Sequence, residues 1–452
     1  MKLLGIYIYN YHQFKDFQID FVYPKNHPKE GEPLEKVCLI GRNGTGKSNL
    51  LNFIQLNIHD FYRSQIPEAI YKIEIDNKRF YFVKGFGPYH LYHEEIDAIS
   101  DWKKIIFKDY SRNINQFNLK YNTISYLVTD PLVTKKMTFK GNSDDLLIFV
   151  PSEGNRNLYS EIKDVPSTSL NAALQLFESL PYHHIVSTDT ITNFWNVLTY
   201  QIKKRENDLR EFEKKDNNLD KTVREVKAEF DKSNPQILER LAILWNKILG
   251  KANLEFDSKN AINPIQLNEN LKAYINLKGA NRRIGYSELS SGIRNFIFRL
   301  GHIYSLYFNR NIKNGFLLID EPENNLYPDF LYDLIETYLS IIKNTQIFVA
   351  THSPIIAAQF EPYERIILDF NDDGSVFWKS GEMPIGDDPN DLLVKDFNIR
   401  SLLGKEGVKK WERYIKLKSI IPQISDEREK SKLLDEFIKI GNDYNFSGNE
   451  VF

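Results

Sequence analysis

The chain has 452 residues, enough for two or three domains each with its own core. Its 59 lysines and arginines against 61 acids leave a net charge of −2, so no global positive field points to nucleic acid. The single cysteine rules out an internal disulfide framework, no apolar run approaches the ~20 residues of a membrane span, and Met1–Tyr9 is too short and strand-like for a signal peptide; the sequence reads as cytoplasmic.

In chain order, residues 3–9 and 17–22 read as short strands, followed by a polar loop from Pro24 to Pro33. Val37 to Ile40 is the strand feeding Gly41-Arg42-Asn43-Gly44-Thr45-Gly46-Lys47-Ser48, and a helix continues from Asn49 to Leu56. Cys38 sits in that apolar strand, where packing is its role. Tyr71–Ile75 and Phe80–Lys84 alternate as strands about a turn at Asp76-Asn77-Lys78. Residues 95–190 mix aromatic-rich segments with one apolar strand, Leu146–Val150, which ends in Pro151-Ser152-Glu153-Gly154-Asn155-Arg156. From Ile202 to Phe230 the chain is at its most charged; Ile202, Leu209, Phe212, Leu219, Val223, Val226 and Phe230 form a heptad seam broken at Arg205 and Asp216. That segment suits one long helix or a hairpin turning at Asp216-Asn217-Asn218, standing out as an arm or packed along its own domain. Pro235 opens a further helix, Gln236–Leu249. Near the C-terminus, Arg365–Phe370 and Ser375–Lys379 suggest a hairpin around Asn371-Asp372-Asp373-Gly374, and the spacing of Trp411, Tyr414 and Ile415, then Leu433, Leu434, Phe437 and Ile438, is helical.

Four short stretches carry chemistry. The Gly41–Ser48 loop fits G-x-x-x-x-G-K-[ST] at every fixed position, between a strand and a helix. Its glycines let backbone N–H groups wrap an anion at the positive end of the following helix. Lys47 would reach the β- and γ-phosphates, and Ser48 would place its hydroxyl on Mg²⁺. Asp320 and Glu321 follow the apolar run Phe316–Ile319, as at the carboxyl end of a central parallel strand. Asp320 would hold Mg²⁺, and Glu321 would orient or deprotonate the attacking water. Ser290-Ser291-Gly292 opens a helix with apolar Ile293, Phe296, Ile297, Leu300, Ile303 and Tyr304. Alone it is a good N-cap, yet free N–H groups and a hydroxyl at a helix start also bind phosphate. His352 ends the strand Ile347–Ala350, where it can touch a γ-phosphate.

The order of loop, signature, acid pair and histidine resembles the ABC-class ATPase heads of the RecF, SMC and OLD group. Tyr9 to Phe17 is similar to their opening strand and turn, Gly41 to Leu51 to their phosphate loop, Leu289-Ser290-Ser291-Gly292 to their signature, and Asp320 to Pro328 to their acid pair and dimer-contacting loop. The resemblance implies an α/β fold: an ABC-type P-loop ATPase head of mixed sheet and helices, with an inserted helical arm or hairpin and a helical C-terminal region. It implies ATP and Mg²⁺ as cofactors, with Gly41, Asn43, Gly44, Gly46, Lys47, Ser48 and Asn49 on the nucleotide, Ser48 and Asp320 on the metal, and Glu321 and His352 catalytic. Ser290, Ser291 and Gly292 would reach the nucleotide of a second copy, giving a dimer or a multiple of one. The expected divisions are residues 1–95 and 271–370 for the two halves of the head, 96–190 for an insertion with the remaining head strand, 191–270 for the helical arm and 371–452 for a C-terminal hairpin and helices. Size and layout are similar to the ATPases of bacterial anti-phage systems such as Septu, PARIS and certain retrons, which hold or license a separate nuclease or toxin. The alternative is a RecF- or SMC-like repair or DNA-organising ATPase that binds DNA directly.

Three positions depart from the family pattern. His12 stands where an arginine is common, Tyr327 where a histidine is common, and no glutamine follows Leu146–Val150, where Glu153, Asn155 or Arg156 would have to serve. Nuclease readings are weaker. Asp369, Asp372 and Asp373 suit a hairpin turn, Glu74, Asp76 and Lys78 another turn, and His90, His93, Glu94 and Glu95 have metal-like spacing in a loop without further ligands. No nuclease activity is expected of the chain by itself.

Overall fold

A computed structural model of the chain describes residues 1–59, 69–75, 77–84, 90–93, 145–152, 182–186, 208–233, 237–256, 275–279, 283–284, 289–307, 312, 314–342, 344–399 and 401–446. Strands β1 (Lys2–Tyr11) and β2 (Phe14–Asp20) form an antiparallel hairpin, turned at His12, whose φ is 50°. Both are longer than their apolar stretches because each is held by a full antiparallel ladder. β3 (Lys36–Gly41) runs through the phosphate loop into α1 (Lys47–His59). β4 (Ala69–Ile75), β5 (Lys78–Lys84) and β6 (His90–His93) complete a five-stranded sheet ordered β2-β1-β4-β5-β6. His90 and His93 therefore stand on a strand paired with β5, not in the loop their polarity suggested. Asp76, Glu94 and Glu95 lie outside the described residues.

Further along come β7 (Asp145–Val150), β8 (His183–Ile185), α2 (Val223–Ser233), α3 (Ile237–Leu249) and a small sheet of β9 (Leu254–Phe256), β10 (Ile275–Leu277) and β11 (Arg283–Ile284). The second half holds α4 (Ser291–Tyr307), β12 (Asn314–Asp320), α5 (Pro328–Leu331), α6 (Leu334–Ile341), β13 (Thr345–Ala350), α7 (Pro354–Ala357), β14 (Arg365–Phe370) and β15 (Val376–Ser380). Three more helices follow: α8 (Pro389–Lys395), α9 (Lys405–Ile420) and α10 (Glu427–Tyr444).

The central sheet is ordered β15-β14-β3-β13-β12-β7-β8 and is parallel except for β15. Its strands read as unbroken apolar runs because both faces are covered. Val37 and Leu39 of β3 point into one core with Leu3, Ile6 and Ile8 of β1 and Leu50 and Ile54 of α1. Cys38 and Ile40 point the other way, into a core with Trp245 of α3, Phe296 and Leu300 of α4, and Leu334 and Tyr338 of α6. Period-two alternation along one strand thus divides the packing between the antiparallel sheet and the helices. The result is a mixed α/β fold of large sheet and helices, as expected.

In the charged segment the chain turns rather than running as one helix. Residues 208–213 are helical, Asp216–Asn218 form a 3₁₀ turn, and α2 returns so that Phe212 meets Phe230 at 5.6 Å between ring centres. Asn218 makes the break by donating its side-chain amide to the Phe212 carbonyl at 2.8 Å. Leu219 and Val223, read as seam positions, are 67% and 75% exposed, since the turn takes them off the packed face. Ile202, Arg205 and Gln236 lie outside the described residues. The hairpin of helices α9 and α10 closes on Tyr414, Leu417, Ile440 and Phe446, with Arg413 and Glu436 in a two-pronged pair at 2.8 and 2.7 Å.

Two buried polar contacts set stability. Arg365 and Asp396 form an ion pair at 2.7 Å with both side chains fully inaccessible, and Arg365 also donates to the Phe360 and Met383 carbonyls. Removing one partner of such a pair strands the other charge, so Asp396→Ala should lower stability by about 3–5 kcal/mol, seen as unfolding at lower urea. His184 of β8 and His302 of α4 meet through their Nε2 atoms at 2.7 Å, which requires one ring to accept there and stay neutral. Burial, then the neighbouring His184, holds His302 well below the ordinary histidine value. The unfolded chain therefore binds more protons, and this contribution to stability is full above about pH 6.5 and lost as pH falls. His302→Gln should flatten the fall in melting temperature on acidification; an unchanged slope would place its source elsewhere.

Candidate nucleotide-binding site

Four strand ends lie side by side at the carboxyl edge of the central sheet, the edge where parallel sheets bind ligands. Leu39 of β3 is level with Ala350 of β13, Ala350 is level with Asp320 of β12, and Ile319 is level with Val150 of β7. Strand order alone therefore gathers the phosphate loop, Thr351-His352, Asp320-Glu321 and Ser152.

The loop has the backbone its sequence requires. Gly46 has a φ of 91°, and a Cβ there would overlap the Gln13 amide and crowd the Phe14 ring. Thr45 is fully buried and its hydroxyl donates to the Arg42 carbonyl at 2.8 Å. Gly41, Lys47 and Thr45 are buried, Gly46 and Asn49 half-buried, and Arg42, Asn43, Gly44 and Ser48 exposed. Lys47 donates to the Gly41 and Arg42 carbonyls at 2.8 and 3.3 Å. Burial lowers its pKa, while the charges of Asp320, Glu321 and Glu323 act in the opposite direction. Asn49 donates to Gln13, which in turn donates to the Gly44 carbonyl, at 3.4 and 3.3 Å.

Asp320 is 3% exposed. Burial raises its carboxyl pKa, against hydrogen bonds from Ser48 and Ser152 that lower it. Its Oδ1 is buried with no hydrogen-bond partner. A hard divalent cation takes oxygen ligands. The Ser48 hydroxyl paired with a carboxylate that keeps one buried oxygen uncommitted fits Mg²⁺. Glu321, the next residue, has a φ of 47°, a conformation that non-glycine residues seldom adopt. Its N–H donates to the Ala350 carbonyl at 2.8 Å, and its Oε2 accepts from Asn324 at 3.0 Å. His352 Nε2 lies 3.9 Å from Glu321 Oε1. Burial and then Lys47 lower the His352 pKa, with Glu321 and Asp320 opposing.

At the signature, α4 begins at Ser291, and Ser290 accepts weakly from the Ile293 N–H at 3.4 Å. The Ser291 side chain lies outside the described residues. Gly292 is buried, and a Cβ on it would run into the Asn325 carbonyl. The signature thus meets the loop following the acid pair in its own chain, and sequence reasoning had not foreseen that contact. Glu153, Asn155 and Arg156 lie outside the described residues, while Ser152 reaches Asp320. Glu323 and Gln13 were also missed. Glu323 Oε1 accepts from the Thr351 hydroxyl and the His352 N–H at 2.8 and 2.7 Å. At the hairpin, Asp373 accepts from the Ser375 N–H and hydroxyl, as a turn aspartate does.

No helix among the described residues is long and apolar enough to cross a membrane. A family model for an AAA ATPase domain (AAA_15) matches residues 1–357. No curated protein matches the chain. Among solved structures, the SMC head domain from Thermotoga maritima is 12% identical, covering 85% of this chain and 100% of that one at a TM-score of 0.39. The Smc head domain with an extended coiled coil, bound to the C-terminal domain of ScpA derived from Pyrococcus furiosus, is 11% identical over 84% of this chain and 96% of that one, at 0.39. A SmcHead bound to the C-winged helix domain of ScpA is 11% identical over 85% and 99%, at 0.38. With most of its length, including the phosphate loop, the acid pair and the histidine, inside that family match, the chain belongs to the AAA ATPase domain family.

Proposed function

We propose that the chain is a Mg²⁺-dependent ATPase of the ABC class whose site is completed by a second copy, and that its ATP cycle controls a separate nuclease or toxin in bacterial anti-phage defence. The observation that carries the ATPase reading is the gathering of Lys47 and Ser48 at the start of α1 with Asp320, Glu321 and His352 beyond the adjacent strand ends. Lys47 exchanges its loop carbonyls for phosphate oxygens, keeping its charge paired. Mg²⁺, held by Ser48 and Asp320, would neutralise charge on the transferring phosphoryl group. Glu321 orients and deprotonates the attacking water, and His352 contacts the γ-phosphate from the neighbouring strand. Gly41, Asn43, Gly44, Gly46 and Asn49 line the phosphates. Ser290, Ser291 and Gly292 present a second helix start to the nucleotide of the partner copy.

The effector part of the proposal is supported by the balanced charge of the chain, which offers no electrostatic reason to hold DNA, and by its resemblance in layout to defence ATPases. The acids at 320 and 321 are committed to ATP, so phosphodiester cleavage would need another carboxylate cluster.

Glu321→Gln should retain ATP binding, accumulate closed dimers visible by light scattering and lose hydrolysis by about 10²–10⁴-fold. Lys47→Ala should lose binding itself. Undiminished turnover in Glu321→Gln would remove the assignment. For the effector reading, purified chain with Mg²⁺ or Mn²⁺ and ATP should leave DNA and RNA intact, with cleavage or toxicity arising only when the product of a neighbouring gene is added. Cleavage by the chain alone, or tight duplex binding that falls steeply with salt, would count against it.

A further inference from the structure

We propose that Glu323 is a positioning residue for hydrolysis: it fixes His352 against Glu321 and joins the loop after the acid pair to the histidine loop. The inference rests on the ATPase reading above and adds a role for a residue outside that set. Both contacts of Glu323 Oε1 go to the histidine loop, the Thr351 hydroxyl at 2.8 Å and the His352 peptide N–H at 2.7 Å. Thr351 is fully buried, its N–H donates to the Leu39 carbonyl at 3.1 Å, and its hydroxyl also accepts from the Ser353 N–H at 2.9 Å. The histidine loop is thereby anchored to β3 on one side and to Glu323 on the other. His352 itself is tied through its backbone, leaving the imidazole to face Glu321 at 3.9 Å.

A carboxylate is an expensive way to hold one loop, since its second oxygen must also be accommodated. Glu323 Oε2 is buried without a hydrogen-bond partner. A neutral amide or hydroxyl would satisfy Thr351 at lower desolvation cost. The carboxylate adds charge assistance to the two bonds that Oε1 accepts, making them short and directional, while a glutamine oxygen could accept the same two donors more weakly. The same loop reaches the signature two residues later, where the Asn325 carbonyl abuts Gly292. Movement of α4 against this loop would therefore be carried through Glu323 to His352, linking the signature to the γ-phosphate contact.

The test is a double-mutant cycle on the full-length chain, reading kcat and ATP affinity separately. Glu323→Ala should lower kcat by about 10- to 100-fold through misplacement of His352, with ATP affinity little changed. Glu323→Gln, whose Oε1 can accept the same two donors, should recover most of that loss. In a His352→Ala background, adding Glu323→Ala should cost less than about threefold, because the two act as one unit. Should Glu323→Ala fail to fold, Glu323→Asp serves, since it keeps the charge but withdraws the oxygen from the His352 N–H. Additive losses in the cycle, an unaltered kcat in the single variant, or an equal fall in Glu323→Gln would each overturn the inference. Wild-type chain and Glu321→Gln run alongside separate the two levels: if the wild type does not hydrolyse ATP, or Glu321→Gln hydrolyses it undiminished, the site reading above fails, and if Glu321→Gln is impaired while the cycle is additive only the role of Glu323 fails.

Discussion

Lys47 at the start of α1 and Asp320 at the end of β12 are opposite charges withdrawn from water, and the rest of the site is arranged around them. Burying either one alone would cost several kcal/mol, of order the total stability of a domain. Lys47 meets that cost with two loop carbonyls, Asp320 with two serine hydroxyls. Those partners come from the ends of β3 and β7 and from the start of α1, so the parallel register of β3, β13, β12 and β7 is a condition of the electrostatics as well as of the fold. A slip of one residue in β12 would turn Asp320 to the opposite face of the sheet.

The parts of the site that are local in sequence were legible there. A glycine spacing and a lysine fix the phosphate loop because its geometry depends on a few successive torsions. An apolar run ending in Asp320-Glu321 identifies a buried strand because burial on both faces removes the usual alternation. Ser152 and Glu323 were not legible, since their partners belong to strands distant in sequence. Ser152 matters only because β7 lies beside β12, and Glu323 only because β12 lies beside β13. Nothing in the composition of either segment specifies its neighbour. The charged segment was legible only as a choice between one long helix and a hairpin at Asp216-Asn217-Asn218, and the structure takes the hairpin. Its heptad spacing is real through Phe212, Val226 and Phe230, but one side-chain amide, that of Asn218, competes successfully for a helix carbonyl and turns the chain. Periodicity registers apolar positions and is blind to such a competitor.

The buried Arg365–Asp396 pair extends the same logic to the C-terminal side. It ties β14, which pairs directly with β3, to the end of α8, and Glu382 N–H donates to the second oxygen of Asp396 at 2.9 Å. The Leu368 carbonyl of β14 in turn lies so close to Gly41 that a Cβ there could not be placed. The start of the phosphate loop is therefore braced from outside the matched ATPase segment, by a charge pair that tolerates no slack.

Glu321 is where local preference and observed structure disagree most. It precedes Pro322, a position that steers backbone toward extended conformations, and it is not a glycine, yet its φ is 47°. Such a conformation costs about 1–3 kcal/mol and persists only where the surroundings over-determine it. Here the peptide N–H is held by the Ala350 carbonyl, and the side chain by Asn324, whose own N–H donates to the Glu321 carbonyl at 3.2 Å. The gain is directional. An extended Glu321 would carry its carboxylate along the line of β12, whereas the left-handed turn brings it beside His352 on the neighbouring strand. Strain at this one residue is therefore balanced by the sheet register, and the acid is held in place by β13 rather than by its own strand.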